Sequence, residues 1–263
     1  MKKWVTLTLC LLLVSSVLAA CGQKEDTYNT VQKTKKIVLG TSADYPPYEF
    51  HMKVNGKDQI VGFDIEIAKE IAKDMGAQLE IKDTSFDVLL NELNSGKVDM
   101  VISGMNPTPE RKKAVDFTTT YYKAEQAVLV RKGDEAKYDT MDKLEGKKIG
   151  VQKTSVQEGI AKDIKNAKLT SLSKISDLIL ELESGRVDAL ILELPVAKSY
   201  VANRDTVAIA GANPKWEDDG YAIAVRKGSP KFAEAINKTL ERLKSENKID
   251  QFVTDANQLV GAK

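Results

Sequence analysis

Leu90-Asn91-Glu92-Leu93-Asn94-Ser95-Gly96-Lys97-Val98-Asp99-Met100-Val101-Ile102 is echoed by Ile179-Leu180-Glu181-Leu182-Glu183-Ser184-Gly185-Arg186-Val187-Asp188-Ala189-Leu190-Ile191. Each stretch reads as a helix with an apolar face, a closing glycine and a buried strand. The copies lie 188 − 99 = 89 residues apart, too far for a solenoid repeat of roughly 20–50 residues. Two similar lobes fit that spacing. Equivalent strands then end at equivalent places, at Ser103-Gly104 in the first lobe and Leu192-Glu193 in the second. Open α/β sheets take ligands beyond the carboxyl ends of their strands. Two such ends facing each other make a cleft.

A second echo marks where the chain is expected to cross between lobes. Ala127-Val128-Leu129-Val130-Arg131-Lys132-Gly133 resembles Ala222-Ile223-Ala224-Val225-Arg226-Lys227-Gly228, each an apolar strand ending in a basic turn. Between them Ile149-Gly150-Val151 opens the second lobe as Ile37-Val38-Leu39 opens the first. The expected division is a large lobe from residues 37–123 and 222–263 and a small lobe from 124–221. Strands and helices alternate, so both lobes are α/β with mostly parallel sheets flanked by helices. Asp64 reads as the N-cap of a helix carrying Ile65, Ala68, Ile71, Ala72 and Met75, and Ser85 as the cap of the next. Thr108-Pro109 signals a short helix start, and Ser155 with Glu158 a capping box. Ser229-Pro230 opens a helix through Leu243, and a last amphipathic stretch covers 249–260.

The chain has 263 residues, 39 basic and 38 acidic, for a net charge of +1. That balance excludes an electrostatic nucleic-acid footprint. Lys2-Lys3 followed by an apolar core from Trp4 to Leu18 reads as a signal peptide over residues 1–20. The run is too short for a membrane helix of the mature protein. It ends in Leu18-Ala19-Ala20-Cys21-Gly22, which resembles the bacterial lipobox. The resemblance implies a lipidated Cys21, bearing palmitate-type acyl chains, as the mature N-terminus and an address on the extracellular face of the cell membrane. An ordinary signal peptide is the alternative. Cys10 lies within the signal, so the mature chain holds no thiol pair, disulfide or Cys-ligated metal. Residues 21–36 are polar and aperiodic and read as a flexible tether.

The stretch Gly104-Met105-Asn106-Pro107-Thr108-Pro109-Glu110-Arg111-Lys112-Lys113-Ala114-Val115-Asp116-Phe117-Thr118 resembles the amino-acid-binding proteins of ABC importers, with the two-lobed type II periplasmic-binding-protein fold. Tyr45-Pro46-Pro47-Tyr48, Gly62-Phe63-Asp64, Ser85-Phe86-Asp87 and both repeat blocks support it. The resemblance covers 37 to about 252. It implies that Arg111 holds the ligand α-carboxylate, and a guanidinium does fork onto a carboxylate; a surface arginine paired with Glu110 or Asp116 is the alternative. It implies a carboxylate at Glu193 for the ligand ammonium, where the family has the shorter Asp; an exposed strand-end glutamate is the alternative. Ser103, Gly104 and Asn106 are expected to hydrogen-bond the ligand from the first lobe. Thr154, Ser155, Val156 and Gln157 are expected to offer free N–H groups from the second. Tyr45 and Phe86 match the family's aromatic walls. Ser42 stands where cationic binders of the family often have Asp, and Asp44 is a candidate counter-charge.

The expected function is binding of a free polar amino acid, arginine or lysine ahead of glutamine, and its delivery by hinge closure to a permease and its ATPase. No cofactor or metal is expected: the single histidine, His51, is placed on a hairpin edge and builds no His-based site. No phosphate loop or nucleophile elbow occurs either. A monomer is expected. The rival class is an enzyme on the same fold, dehydratase-like, for which Glu193 is the candidate acid or base.

Overall fold

The computed structural model describes residues 25–217 and 220–261. Both sequence repeats fold alike. Leu89–Asn94 is helix and Met100–Val101 strand in the first copy; Ile175–Glu183 and Ala189–Glu193 correspond in the second. Gly96 and Gly185 turn the chain at φ 78° and 76°, a region that favours glycine. Asp99 Oδ2 accepts from the Val38 N–H at 2.9 Å, and Asp188 Oδ2 accepts from the Lys148 N–H at 2.9 Å. Each aspartate thus stitches its loop to the first strand of its own lobe.

The second echo locks onto the first. Arg226 Nη1 donates to the carbonyls of Val98 (2.5 Å) and Leu93 (3.4 Å), and Nη2 pairs with Asp99 at 3.2 Å. Arg131 Nη1 donates to Val187 (2.7 Å) and Leu182 (2.9 Å). The basic turn residue of each echo therefore holds the end of its lobe's repeat helix, where the backbone carbonyls lack helical partners.

In chain order the elements are α1 (Thr27–Thr34), β1 (Lys36–Thr41), β2 (Asp44–Tyr45), β3 (Glu49–Val54), β4 (Lys57–Val61), α2 (Phe63–Asp74), β5 (Gln78–Asp83), α3 (Leu89–Asn94), β6 (Met100–Val101), α4 (Pro109–Ala114), β7 (Val115–Tyr122) and β8 (Gln126–Arg131). Then follow β9 (Lys148–Gln152), α5 (Val156–Lys162), β10 (Lys168–Leu172), α6 (Ile175–Glu183), β11 (Ala189–Glu193), α7 (Leu194–Asn203), β12 (Val207–Ile209), β13 (Tyr221–Arg226), α8 (Pro230–Ser245) and α9 (Lys248–Gly261). One sheet has the order β5-β1-β6-β13-β7 and the other β10-β9-β11-β8-β12. A small β2-β3-β4 sheet hangs from the first lobe, with His51 on its hairpin.

Each sheet is mostly parallel in strand direction and mixed through one reversed strand. In the first, β13 runs antiparallel to β6 and β7; in the second, β8 runs antiparallel to β11 and β12. These are the two strands that follow a crossing between lobes. Each enters its sheet from the far end, which is why it inverts.

Three local expectations need correction. Residues 27–34, within the expected tether, form α1, with Thr27 and Val31 fully buried. Asp26 caps it through the Tyr28 N–H at 2.9 Å, and Thr27 bonds Ser229 through both N–H and hydroxyl. Only Tyr28 and Val31 carry the apolar face, too little for a period to show; so short a helix forms by packing. Asp64 is not a cap: α2 starts at Phe63, and the Asp64 side chain is buried. Ser85 makes no capping bond to the 3₁₀ turn Phe86–Val88. The Thr108 and Ser155 caps do form, at 3.3 Å to Arg111 N–H and 3.2 Å to Glu158 N–H.

Candidate functional site

Strand ends bring the site together. Ser42 follows β1, Ser103 and Gly104 follow β6, Gln152 ends β9, and Glu193 ends β11. Ser42, Tyr45, Phe86, Ser103, Gly104, Asn106 and Arg111 from the first lobe and Gln152, Ser155, Val156, Gln157 and Glu193 from the second line one tightly closed interlobe cavity of about 10 Å³. Of the thirteen ligand-site residues expected from sequence, only Asp44 and Thr154 lie outside it.

Arg111 sits on α4 because the Thr108 cap and Pro109 start that helix just before it. Its Nη1 donates to the Asn106 carbonyl and its Nη2 to the Thr154 carbonyl, both at 2.9 Å. The second bond crosses the cleft, so Thr154 touches Arg111 instead of the cavity. The guanidinium carbon stands 5.3 Å from the Phe86 ring centroid, within cation–π range. Burial lowers the Arg111 pKa to about 10, and Glu110 only partly restores it. Neither surface partner considered from sequence holds the guanidinium: both of its hydrogen bonds go to carbonyls, and Asp116 pairs with Lys227 at 3.3 Å.

Glu193 is 2% exposed, which disagrees with the alternative of an exposed strand-end glutamate. Burial pushes its pKa up to about 8, although the hydroxyls of Tyr48, Tyr221 and Tyr45 around it pull the other way. Its Oε2 has no hydrogen-bond partner. The extra methylene carries this carboxyl across the cleft into a first-lobe nest of tyrosines. An ionised acid there is costly unless a cation joins it.

Behind the cavity wall lies a second acidic group. Ser103 Oγ donates to Glu49 Oε1 at 2.5 Å, and the Gly104 N–H donates to Asp64 Oδ2 at 3.0 Å. Tyr121 also donates to Asp64 Oδ2, at 2.9 Å. Glu49 and Asp64 are fully buried. Burial raises both, Asp64 to about 6. Sequence reasoning missed Glu49 and Gln152. Gln152 ends β9, so the strand-end rule already applied to Ser103 and Glu193 points to it. Glu49 carries a fainter signal, a lone acid between Tyr48 and Phe50 where a strand opens.

Asp44, the expected counter-charge, does other work. Its Oδ2 accepts from the Ser176 N–H at 3.2 Å, at the start of α6 across the cleft. Tyr200 donates to its carbonyl at 3.0 Å. Two ion pairs also span the lobes: Lys153 with Asp87 at 3.0 Å and Lys174 with Asp83 at 3.3 Å. The cavity is therefore closed over by a ring of interlobe contacts. Cys21 lies outside the described residues.

This architecture has known relatives. Residues 37–255 match the bacterial extracellular solute-binding proteins, family 3. The chain belongs to that family. It is 38% identical to the arginine-binding extracellular protein ArtP of Bacillus subtilis, across 95% of this chain and 96% of that protein. Its fold superposes with a TM-score of 0.87 on an amino acid ABC transporter substrate-binding protein, AbpA of Streptococcus pneumoniae, solved with L-arginine. That pair shares 43% identity and covers 89% of this chain and 100% of the other. An ancestral arginine-binding protein solved with glutamine is 40% identical, with a TM-score of 0.75 over 84% of this chain and 97% of that one.

Proposed function

We propose that the protein binds L-arginine between its lobes and hands it to an ABC importer, with lysine accepted less well and glutamine less again. The observation that carries this is the charge of the cleft. Buried carboxyls of Glu193, Glu49 and Asp64 surround a cavity whose wall holds one cation, Arg111. A cationic amino acid brings the complement, one carboxylate and two cations. Its carboxylate pairs with Arg111, displacing a carbonyl contact for a bidentate one. Its ammonium meets Glu193, and Tyr45 and Phe86 enclose the stem. Asp44 has no part in this, because it holds α6. The names of the arginine-binding relatives support the same choice.

Closure follows from the placement of the partners. Arg111 and Glu193 belong to different lobes, so a ligand touching both favours the closed state. The interlobe contacts of Asp44, Thr154, Lys153 and Lys174 then complete it. Carboxyl groups serve here as binding partners, as the family's solute-binding role supports. Cys21 is read as the lipid anchor to the outer face of the membrane, and the protein as a monomer.

Thermal shift of the mature protein against the free amino acids tests the ligand. At about 100 times the dissociation constant, arginine adds about 2.7 kcal/mol of stability. Strong stabilisation by glutamine with none by arginine or lysine refutes the cationic reading. Cys21→Ser is expected to move the protein from the membrane fraction to the medium; unchanged membrane retention refutes the anchor.

A further inference from the structure

Helix α6 carries Lys174 at its cap position, and a lysine ammonium offers no acceptor for the free N–H groups of a first turn. Lys174 turns that ammonium across the cleft instead, to Asp83 and the Thr84 carbonyl. The acceptor comes from the other lobe. Asp44 Oδ2 takes the Ser176 N–H at 3.2 Å, the kind of bond that Ser155 makes to the Glu158 N–H within its own helix. A carboxylate also suits the positive end of a helix dipole. The Asp44 backbone is held from the same side, since Tyr200 on α7 donates to its carbonyl at 3.0 Å. A third contact points inward. Ser42, which lines the cavity, donates its hydroxyl to Asp44 Oδ1 at 3.3 Å. The two oxygens of one carboxylate thus join a hydroxyl of the cavity wall to the start of a helix in the opposite lobe.

We propose that Asp44 is the N-cap of α6 supplied by the other lobe, and that this cap sets how long a ligand stays bound without choosing which ligand binds. The proposal rests on the cleft being an amino-acid site that closes about its ligand. Asp44 and Ser176 belong to different lobes, so the cap forms on closure and is lost on opening. Opening leaves the first turn of α6 without its acceptor, and that cost falls on the exit of the ligand. Entry precedes closure, so the association rate does not draw on the cap. Asp44 does not line the cavity, so every ligand that closes the lobes gains from it equally. It is a positioning residue, holding lobe to lobe and touching no ligand.

Stopped-flow mixing of the mature protein with L-arginine and with L-lysine, followed by Trp216 fluorescence at the cleft mouth, reads both rates. Asp44→Ala is expected to raise the dissociation rate roughly 3- to 30-fold, the usual effect of a lost N-cap, and by the same factor for both amino acids. The association rate should stay within about twofold of the parent's. Asp44→Asn keeps a capping oxygen and is expected to restore most of the slow release, whereas a counter-charge to the ligand would be lost in that variant. Ser176→Pro removes the N–H at the second position of α6, a position that Pro195 occupies in α7. It should match Asp44→Ala, and the double variant should add less than about twofold to either single one. An unchanged dissociation rate in Asp44→Ala overturns the proposal. So does an Asp44→Asn variant that loses as much as Asp44→Ala, or a loss that falls on one amino acid and spares the other. If neither arginine nor lysine binds the parent, the reading of the site fails instead, and the same variants are compared with glutamine.

Discussion

Replacing Glu193 by glutamine should make the ligand-free protein more stable and a poorer binder at once. The carboxyl sits among tyrosines with no cation, and its pKa lies near 8 against an ordinary 4.5. The folded protein therefore holds a proton that the unfolded chain has lost between those two values. Stability falls as pH rises through that window; below it both states are protonated, and above it the loss is complete. The gap of 8 − 4.5 = 3.5 pH units, at about 1.4 kcal/mol per unit, sets a ceiling of about 5 kcal/mol. Glutamine keeps the shape and removes the titration. Urea melts of ligand-free parent and Glu193→Gln at pH 5.5 and 8.5 read the effect directly. The parent should lose up to about 3.5 kcal/mol between the two, for the 8 − 5.5 = 2.5 units of that window they span, and the variant should lose less. Calorimetry at pH 7.5 should show arginine bound at least about thirtyfold more weakly, for the loss of one member of a buried charge pair. A variant with the parent's pH slope, or one that binds arginine as tightly as the parent, refutes the reasoning.

Arg111→Ala should cost roughly 2–5 kcal/mol of arginine affinity, about 30- to 5,000-fold, measured by calorimetry. Arg111→Lys should recover little of it, because an ammonium cannot fork onto a carboxylate. Gly62→Ala should lower stability by at least about 2 kcal/mol in urea melts: Gly62 has φ 127°, and a Cβ there would come 2.1 Å from the Tyr48 carbonyl oxygen. Lys174→Ala removes the contacts with Asp83 and Thr84 across the cleft, yet that side chain is partly exposed. Its loss should weaken arginine by no more than about fivefold, seen as a small shift in a titration of Trp216 fluorescence at the cleft mouth.

The two-lobed plan was legible because it is written twice. A helix, a closing glycine and a strand of the same composition cannot recur 89 residues apart by packing alone. Arg131 and Arg226 show that even the shorter echo was part of that unit, since each arginine donates to a carbonyl in the last turn of its lobe's repeat helix. What the pattern hid was strand direction. Apolar alternation is the same whether a strand enters its sheet from one end or the other, so the reversal of β8 and β13 left no mark in the pattern. Helix α1 was hidden for a different reason: two apolar residues make no period, and its stability comes from Ser229 and the start of α8, more than 200 residues away along the chain.

The site divides along the same line. Residues on one short motif, such as Arg111 after its Thr108-Pro109 start, could be placed because cap, helix and guanidinium follow from consecutive positions. Asp44 could not, since nothing in its neighbours tells that α6 will close over it from the other lobe. The carboxyls that set the charge of the cleft are harder still. Glu49, Asp64 and Glu193 lie on β3, α2 and β11, and each looks like one more acid in a chain with 38 of them. They stand apart from the solvated acids only once the fold buries them, because burial is what raises their pKa values. On the proposed reading an arginine ligand meets Glu193 from one lobe and Arg111 from the other, so ligand choice and closure would draw on one set of charges.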